Sequence, residues 1–246
     1  MRTFFLGDNE VVGDTVTVTG ELYRHMARVL RLKEGSEVAL TDEGGLRLEG
    51  EIVEVGAKSL QVRIAKSCAA LPEQSGLRVT LYQGMPKGEK LDLILQKCTE
   101  LGIAEVVTFD ADRSIVKLTG ERSATRLGRY QKIVQEAARQ SGRRSAPKVT
   151  IGGSLAEVLS DARHTVRLLL WEAEQTTRLR ETFQAHPAPE GVAIVVGPEG
   201  GLSAEEVGQA LSCGFTAVSL GERILRTETA GLAMLSILQF HWGDMG

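Results

Sequence analysis

The alternation of apolar and polar residues changes character near residue 70 and divides the chain into two parts. Over residues 1–70, short runs alternate with period two and are separated by glycines and acidic residues. This alternation is typical of half-buried strands, so the first part is predicted to form a small β-barrel or sandwich. The strands are predicted at 15–19, 37–40, 48–55 and 60–64.

An amphipathic helix is predicted at 21–32, between the first two of these strands. The apolar positions expected to face the interior are Leu22, Met26, Val29 and Leu30. The basic positions on the opposite side are Arg24, Arg28 and Arg31.

Over residues 71–246, short runs of branched apolar residues alternate with amphipathic helical stretches. This pattern predicts an α/β fold, with a parallel sheet covered by helices on both faces. A linker is expected at 67–76, where small and polar residues surround Pro72. The strands are predicted at 77–82, 105–109, 167–171, 192–196 and 217–220.

Two predicted helices of the second part differ in their surfaces. The helix at 121–142 is basic on one side and apolar on the other. The helix at 229–240 is apolar on most of its circumference, so it is expected to be buried in the core or against a second subunit.

Composition narrows the class of protein. No apolar run approaches the roughly 18 residues of a membrane helix, and the N-terminus has no signal-peptide core, so a cytoplasmic location is expected. The three cysteines are widely spaced and are expected to be reduced and buried. The four histidines lack zinc-ligand spacing, so no metal is predicted.

The net charge of −3 hides an asymmetry along the chain. Residues 113–148 contain ten Lys or Arg and two acidic residues. Residues 188–246 instead contain two Arg and seven acidic residues. Such a basic region is either solvated surface or a face for a polyanion. Together with the basic helix of the first part, it suggests a structured RNA held by both parts.

A glycine-rich stretch at 197–203 (GPEGGLS) follows a predicted strand and precedes a predicted helix. Its glycines would let the backbone approach a ligand closely. It also fits an ordinary turn capped by Ser203 and Glu206, and the two interpretations do not conflict. The stretch is not GxGxxG, and no GxxxxGK[ST] is present, which argues against a dinucleotide site and a nucleoside triphosphatase.

A second stretch at 220–230 (LGERILRTETA) places charged residues directly before an apolar helix. Buried charges are costly unless they are paired with one another or with a ligand. The alternative is a solvated turn in which Thr227 or Thr229 caps the helix.

Seven segments, in order along nearly the whole chain, closely resemble the RsmE family of bacterial 16S ribosomal RNA methyltransferases, part of the SPOUT superfamily. They are 25–31 (HMARVLR), 96–102 (QKCTELG), 112–114 (DRS), 135–143 (QEAARQSGR), 170–172 (LWE), 197–203 (GPEGGLS) and 220–230 (LGERILRTETA).

The resemblance implies a PUA-like RNA-binding β-barrel at residues 1–70 and a SPOUT α/β domain with a deep trefoil knot at 71–246, working as a homodimer. It also implies transfer of the methyl group of S-adenosylmethionine to N3 of one uridine in the decoding region of 16S rRNA, with the 30S subunit as partner. The cofactor residues carried over are Leu170, Glu172, Gly197, Gly201, Leu220, Gly221, Ile224, Leu225 and Arg226.

Uracil N3 becomes nucleophilic only when its proton leaves, and the resulting anion spreads onto O2 and O4. Arg226 is the leading candidate to stabilise those oxygens because it ends the cofactor loop and stays charged. The proton acceptor is open among Glu136, Glu199, Glu228 and water. RNA contacts are expected from Arg24, Arg28, Arg31, Arg113, Arg139 and Arg143.

Two other hypotheses are compatible with the sequence. One is a knotted methyltransferase that acts on transfer RNA or on a ribose 2′-hydroxyl. The other is a ribosome-assembly factor that binds RNA without methyl transfer, and such a protein would have no use for an intact glycine loop or for Arg226.

Overall fold

The chain folds around three clusters of buried side chains, one near the N-terminus and two in the remainder. The computed structural model describes residues 1–7, 9–42, 46–68, 76–114, 121–160, 162–174 and 179–246, without the side chains of residues 121 and 122. Contacts divide the chain into an N-terminal unit (1–73 and 142–145) and a C-terminal unit (74–141 and 146–246). The linker expected at 67–76 lies outside the described residues except at its ends.

The N-terminal unit contains a six-stranded sheet in the order β1-β4-β5-β6-β3-β2. Strands β1 and β4 are parallel, and the other pairs are antiparallel. The prediction of a small β-structure is confirmed, although β1 and β2 were not foreseen. The strands are β1 (Arg2–Phe5), β2 (Val11–Val12), β3 (Thr15–Val18), β4 (Glu37–Thr41), β5 (Arg47–Val55) and β6 (Leu60–Cys68).

The helix expected at 21–32 is shorter and differently wound. It begins as α1 (Gly20–Tyr23) and continues as a π-helical segment, Arg24–Val29. Met26 is fully buried as expected, but Val29 is 68% exposed, so its assignment to the interior was wrong. The wider π-helical turn changes the angular spacing of side chains, which explains why a pattern read for an α-helix misplaced Val29.

The C-terminal unit contains a six-stranded sheet in the order β12-β10-β11-β7-β8-β9, in which every pair is parallel. The predicted parallel α/β sheet is therefore confirmed. Strand β9 was not foreseen because it ends in two glycines and serine, which carry no strand pattern. The strands are β7 (Arg78–Gly84), β8 (Glu105–Asp110), β9 (Lys148–Ser154), β10 (Val166–Leu170), β11 (Gly191–Val196) and β12 (Thr216–Val218).

Two hydrophobic clusters, built around different strand residues, form the core of this unit. The basic helix α3 buries Tyr130, Val134 and Ala137. Of the cysteines only Cys98 is buried, whereas Cys68 and Cys213 are half-buried, so the expectation for those two was wrong. The helices are α2 (Lys90–Glu100), α3 (Glu121–Ser141), α4 (Leu155–Leu159), α5 (Leu179–Ala185), α6 (Ala204–Ser212) and α7 (Thr227–Trp242).

No helix within the described ranges is both long and apolar enough to cross a membrane.

Candidate functional site

A cavity of about 500 Å³ lies where three neighbouring parallel strands end. Strands β10, β11 and β12 finish at Leu170, Val196 and Val218, and all three residues line it. The carboxyl edge of a parallel sheet is the usual place for a ligand in an α/β fold. We call it the strand-end cavity. It brings together all nine predicted cofactor residues: Leu170, Glu172, Gly197, Gly201, Leu220, Gly221, Ile224, Leu225 and Arg226.

One wall is the glycine loop, residues 197–203, which connects β11 to α6. Gly201 has φ +70°, a conformation that favours glycine, and a Cβ there would lie 2.8 Å from the Glu172 carboxylate. The predicted capping box is confirmed: Ser203 Oγ accepts from the Glu206 amide, and the Glu206 carboxylate accepts from the Ser203 amide. The glycine loop is thus fixed at its C-terminal end.

A second part of the lining is the arginine loop, residues 219–226, which connects β12 to α7. Arg226 is the N-cap residue of α7, and its side chain makes no capping hydrogen bond. That side chain is 83% exposed, and Ile224 is 84% exposed. Arg226 therefore has its guanidinium available at the rim of the cavity.

A buried hydrogen-bond chain joins the glycine loop to Thr227, the first residue of α7 after the arginine loop. The Thr227 hydroxyl donates to the Gly197 carbonyl at 2.7 Å and accepts from Gln83 Nε2 at 2.9 Å. Gln83 is fully buried and Thr227 is 6% exposed. Gln83 was not predicted as a site residue, and Thr227 was considered only as a possible helix cap.

Four charged side chains meet beside the cavity. Lys90 Nζ lies 2.9 Å from Glu199 Oε1 and 3.4 Å from Glu228 Oε2. Arg226 Nη1 lies 3.9 Å from Glu228 Oε1. Glu228 Oε2 is buried and, although within ion-pair distance of Lys90, has no hydrogen-bond partner in the described part of the chain. Lys90 was missed because its sequence surroundings carry no site motif.

Two of these groups have shifted pKa values. Burial alone would raise the pKa of the Glu199 carboxyl, but hydrogen bonds from Lys90 and from the backbone amides of Glu199 and Lys87 outweigh burial and lower it. The hydrogen bond to Glu199 is the main reason that the pKa of Lys90 is raised. Both groups are therefore held in their charged forms near neutral pH.

The DRS segment at 112–114 braces the glycine loop. Arg113 Nη1 donates to the Gly200 carbonyl at 3.1 Å, and Ser203 Oγ donates to Asp112 Oδ2 at 2.6 Å. The Asp112 amide donates to the buried Glu206 carboxylate at 3.0 Å. Arg113, predicted as an RNA contact, thus also supports the cavity wall.

The remaining predicted residues lie elsewhere. Glu136, on α3, is not among the described residues that line the cavity, and it pairs with Arg139. Arg24 and Arg28 are exposed on the π-helical segment, where Arg28 Nη2 donates to the Ala57 carbonyl at 3.4 Å. Arg31 is exposed just beyond that segment, and Arg143 follows α3 and belongs to the N-terminal unit.

The lining favours a small ligand with an apolar ring and charges of both signs. Its volume is in the usual range of about 300–1,000 Å³ for small-molecule sites. Leucine, valine and tryptophan side chains line it together with three carboxylates and three cations. No group of three His, Cys, Asp or Glu that could hold a metal ion occurs in the described portion of the chain.

Comparison with known proteins identifies related chains. Residues 72–239 match the family described as an RNA methyltransferase domain, and residues 18–65 match the RNA methyltransferase PUA domain. Ribosomal RNA small subunit methyltransferase E of Bacillus subtilis is 32% identical, with 92% of this chain and 90% of that protein covered.

Two solved structures share the fold over almost the whole chain. The small subunit methyltransferase E of Neisseria gonorrhoeae, bound to S-adenosylmethionine, is 34% identical, with a TM-score of 0.84 and all of both chains covered. A methyltransferase of Legionella pneumophila, also with S-adenosylmethionine bound, is 31% identical, with a TM-score of 0.85 and 99% and 98% of the chains covered.

Proposed function

The chain belongs to the RsmE family of ribosomal RNA small subunit methyltransferases, and we propose that it methylates N3 of one uridine in the decoding region of 16S rRNA. It is an S-adenosylmethionine-dependent rRNA methyltransferase with an N-terminal PUA domain. One observation carries the proposal: the nine residues matched to the family's cofactor site converge on the strand-end cavity.

The residues of the cavity suit S-adenosylmethionine. We propose that Leu220, Ile224 and Leu225 cover the adenine, and that backbone groups of the glycine loop hydrogen-bond the adenine and ribose. The lining carboxylates, such as Glu172, complement the positive charges of the ligand, and the lining cations complement its carboxylate. When bound, this cofactor supplies an electrophilic methyl group on a sulfonium sulfur.

Glu228 is the proposed proton acceptor for uracil N3–H. Its Oε2 is buried and accepts no hydrogen bond from the described residues, whereas Glu199 is engaged by Lys90 and by the Lys87 amide. Lys90 lies within ion-pair distance of both carboxylates and offsets their mutual repulsion. Neither Glu136 nor Glu228 is among the described residues that line the cavity, but Glu228 pairs with the lining residues Lys90 and Arg226, whereas Glu136 pairs with Arg139.

Arg226 is proposed to stabilise the uracil anion. Its exposed guanidinium lies at the cavity rim, where it can donate to O2 or O4 as the N3 proton leaves. An arginine remains charged throughout, so it stabilises the developing charge without exchanging a proton.

The substrate is proposed to be the 30S subunit in the cytoplasm, bound by a homodimer. The proposed phosphate contacts are the exposed Arg24, Arg28, Arg31 and Arg113 and the half-buried Arg139 and Arg143. Phe240 near the end of the apolar helix α7 is 68% exposed. The trefoil knot remains a prediction.

Methyl transfer from labelled S-adenosylmethionine to 30S subunits that lack the modification tests this proposal. We expect the label in 3-methyluridine, identified by chromatography and mass spectrometry of the nucleosides. Label in transfer RNA or at a ribose 2′-hydroxyl would indicate a different methyltransferase. RNA binding without incorporation into 30S particles, naked 16S RNA or transfer RNA would indicate an assembly factor.

A further inference from the structure

Arg31 has a backbone conformation that glycine normally provides. Its φ is +53°, and it is the only residue other than glycine with positive φ in the described ranges. The other ten positive-φ residues there are all glycines. A side chain in this left-handed region carries a steric cost that glycine avoids.

The strained residue ends an unusual helix. The Leu30 amide donates to the His25 carbonyl at 2.9 Å, and the Leu32 amide donates to the Met26 carbonyl at 3.0 Å across Arg31. A helix commonly ends with glycine at such a left-handed position. Both the π-helical turn and a left-handed arginine are costly features, and such features concentrate at functional sites.

Arg31 gains no ion pair from the described residues in return for its backbone strain. Its side chain is exposed, and neither Arg31 nor Arg24 forms an ion pair with any residue that the structure describes. Arg28, on the π-helical segment, contacts among the described residues the Ala57 carbonyl and the Tyr23 ring, whose centroid lies 6.0 Å from its guanidinium. The segment and Arg31 just after it therefore present three cations to solvent, and no ion pair within the described residues accounts for arginine at position 31.

We propose that Arg31 contacts an RNA phosphate and that its left-handed turn is retained for this contact at the expense of stability. The inference rests on the proposed function, because it takes the partner of the N-terminal unit to be rRNA. Arginine at position 31 serves RNA binding, although glycine at this position would give a more stable fold. A residue that is needed for binding can be retained even though its backbone strain lowers the stability of the fold.

The test uses four variants of the full chain. Arg31→Gly removes both strain and charge, Arg31→Asn removes the charge but tolerates the left-handed backbone, and Arg31→Lys keeps the charge. Arg63→Ala removes an exposed cation from β6 of the same unit and serves as the control. Each is measured for thermal unfolding and for binding to 30S subunits and naked 16S RNA without cofactor, over a range of salt concentrations.

We expect Arg31→Gly to raise the unfolding temperature by about 2–5 °C. The same variant should weaken RNA binding about fivefold and lower the slope of log affinity against log salt by about one, as loss of one phosphate contact predicts. Arg31→Asn should weaken binding equally, and Arg31→Lys should retain most of it. Arg63→Ala should change neither the salt slope nor the unfolding temperature.

Unchanged RNA affinity in Arg31→Gly would overturn the proposal. Weaker binding without a rise in unfolding temperature would overturn the claim that strain is retained for function. RNA binding is measured without methyl transfer, so these results do not depend on the proposed reaction. If the proposed reaction were wrong, the parent protein would bind RNA but transfer no methyl group.

Discussion

The Thr227 hydroxyl donates a 2.7 Å hydrogen bond to the Gly197 carbonyl, joining the first residue of α7 to the first residue of the glycine loop. Gln83 on β7 donates to the same hydroxyl, so a strand, a loop and a helix meet at one buried oxygen. Because Gly197 and Thr227 both line the strand-end cavity, this oxygen links two segments of its lining.

Removing that hydroxyl should loosen the cavity. In Thr227→Val, the Gly197 carbonyl and Gln83 Nε2 each lose a buried partner, so we expect a loss of about 1–3 kcal/mol in unfolding free energy. The affinity for S-adenosylmethionine should fall about tenfold. Denaturant unfolding and calorimetric titration measure the two effects. Thr227→Ser keeps the hydroxyl and should bind normally, and equal weakening in both variants would contradict a role for the hydrogen bond.

Glu228 and Glu199 should respond differently to neutralisation. Glu228→Gln should lower kcat about 100-fold or more at pH 7, with partial recovery at alkaline pH, where hydroxide removes the N3 proton. Glu199→Gln should act mainly through weaker cofactor binding, because it disturbs the contacts with Lys90 and the Lys87 amide. Steady-state rates across pH separate the two. Equal losses of kcat without alkaline recovery would remove Glu228 as the base.

Loss of Lys90 should change the acid stability of the site. The pKa of Glu199 is lowered in the fold, so its stabilising contribution is present above the ordinary value of 4.5 and disappears as pH falls through the folded value. In Lys90→Met, burial remains but the lysine hydrogen bond is gone, so the difference in unfolding temperature between pH 7 and pH 4 should shrink. Lys97→Met, which breaks a pair with Glu100 on the same helix, is the matched control. If the difference in unfolding temperature between pH 7 and pH 4 were the same in Lys90→Met as in the parent protein, the hydrogen bond from Lys90 would not be what stabilises the Glu199 carboxylate.

Contacts between residues that are close in the sequence could be predicted, whereas contacts between residues far apart in the sequence could not. The glycine loop and its capping box were predictable because their contacts span only a few residues. Gln83 was not, because its partner Thr227 is 144 residues away and the contact exists only once the parallel strands are ordered. Lys90 was missed because no site motif surrounds it at the start of α2 and because its partners Glu199 and Glu228 lie far along the chain.

The error at Val29 has a different cause. Spacing identifies a buried face only when the helix type is known, and the π-helical segment breaks the 3.6-residue period on which the prediction relied. The left-handed backbone at Arg31 was equally invisible, because sequence signals for that conformation depend on glycine or asparagine.

Arg226→Ala should abolish most turnover without unfolding the protein. The side chain is 83% exposed and makes no capping hydrogen bond, so unfolding free energy should change by less than about 0.5 kcal/mol. Loss of a donor to a developing oxyanion predicts a fall in kcat of about 10²–10³. Arg180→Ala, an exposed arginine on α5 outside the described cavity lining, should have normal activity. Normal turnover in Arg226→Ala would remove Arg226 from the mechanism.

Gly84 sets the position of the glycine loop through a close backbone approach. A Cβ at this position would lie 2.6 Å from Pro198 Cδ and 2.8 Å from the Pro198 nitrogen, and backbone cannot yield as a flexible side chain would. Gly84→Ala should therefore displace Pro198, cost about 1–3 kcal/mol of stability and weaken S-adenosylmethionine binding at least tenfold.

The matched control for this substitution is Gly128→Ala, within α3, where a Cβ would meet nothing within 4 Å. Alanine there should stabilise the protein by about 0.5–1 kcal/mol, because glycine is the poorer helix residue. Thermal unfolding and cofactor titration of both variants make the comparison. If Gly84→Ala bound the cofactor normally, the loop could shift without consequence, and the contact between Gly84 and Pro198 would not define the cavity wall.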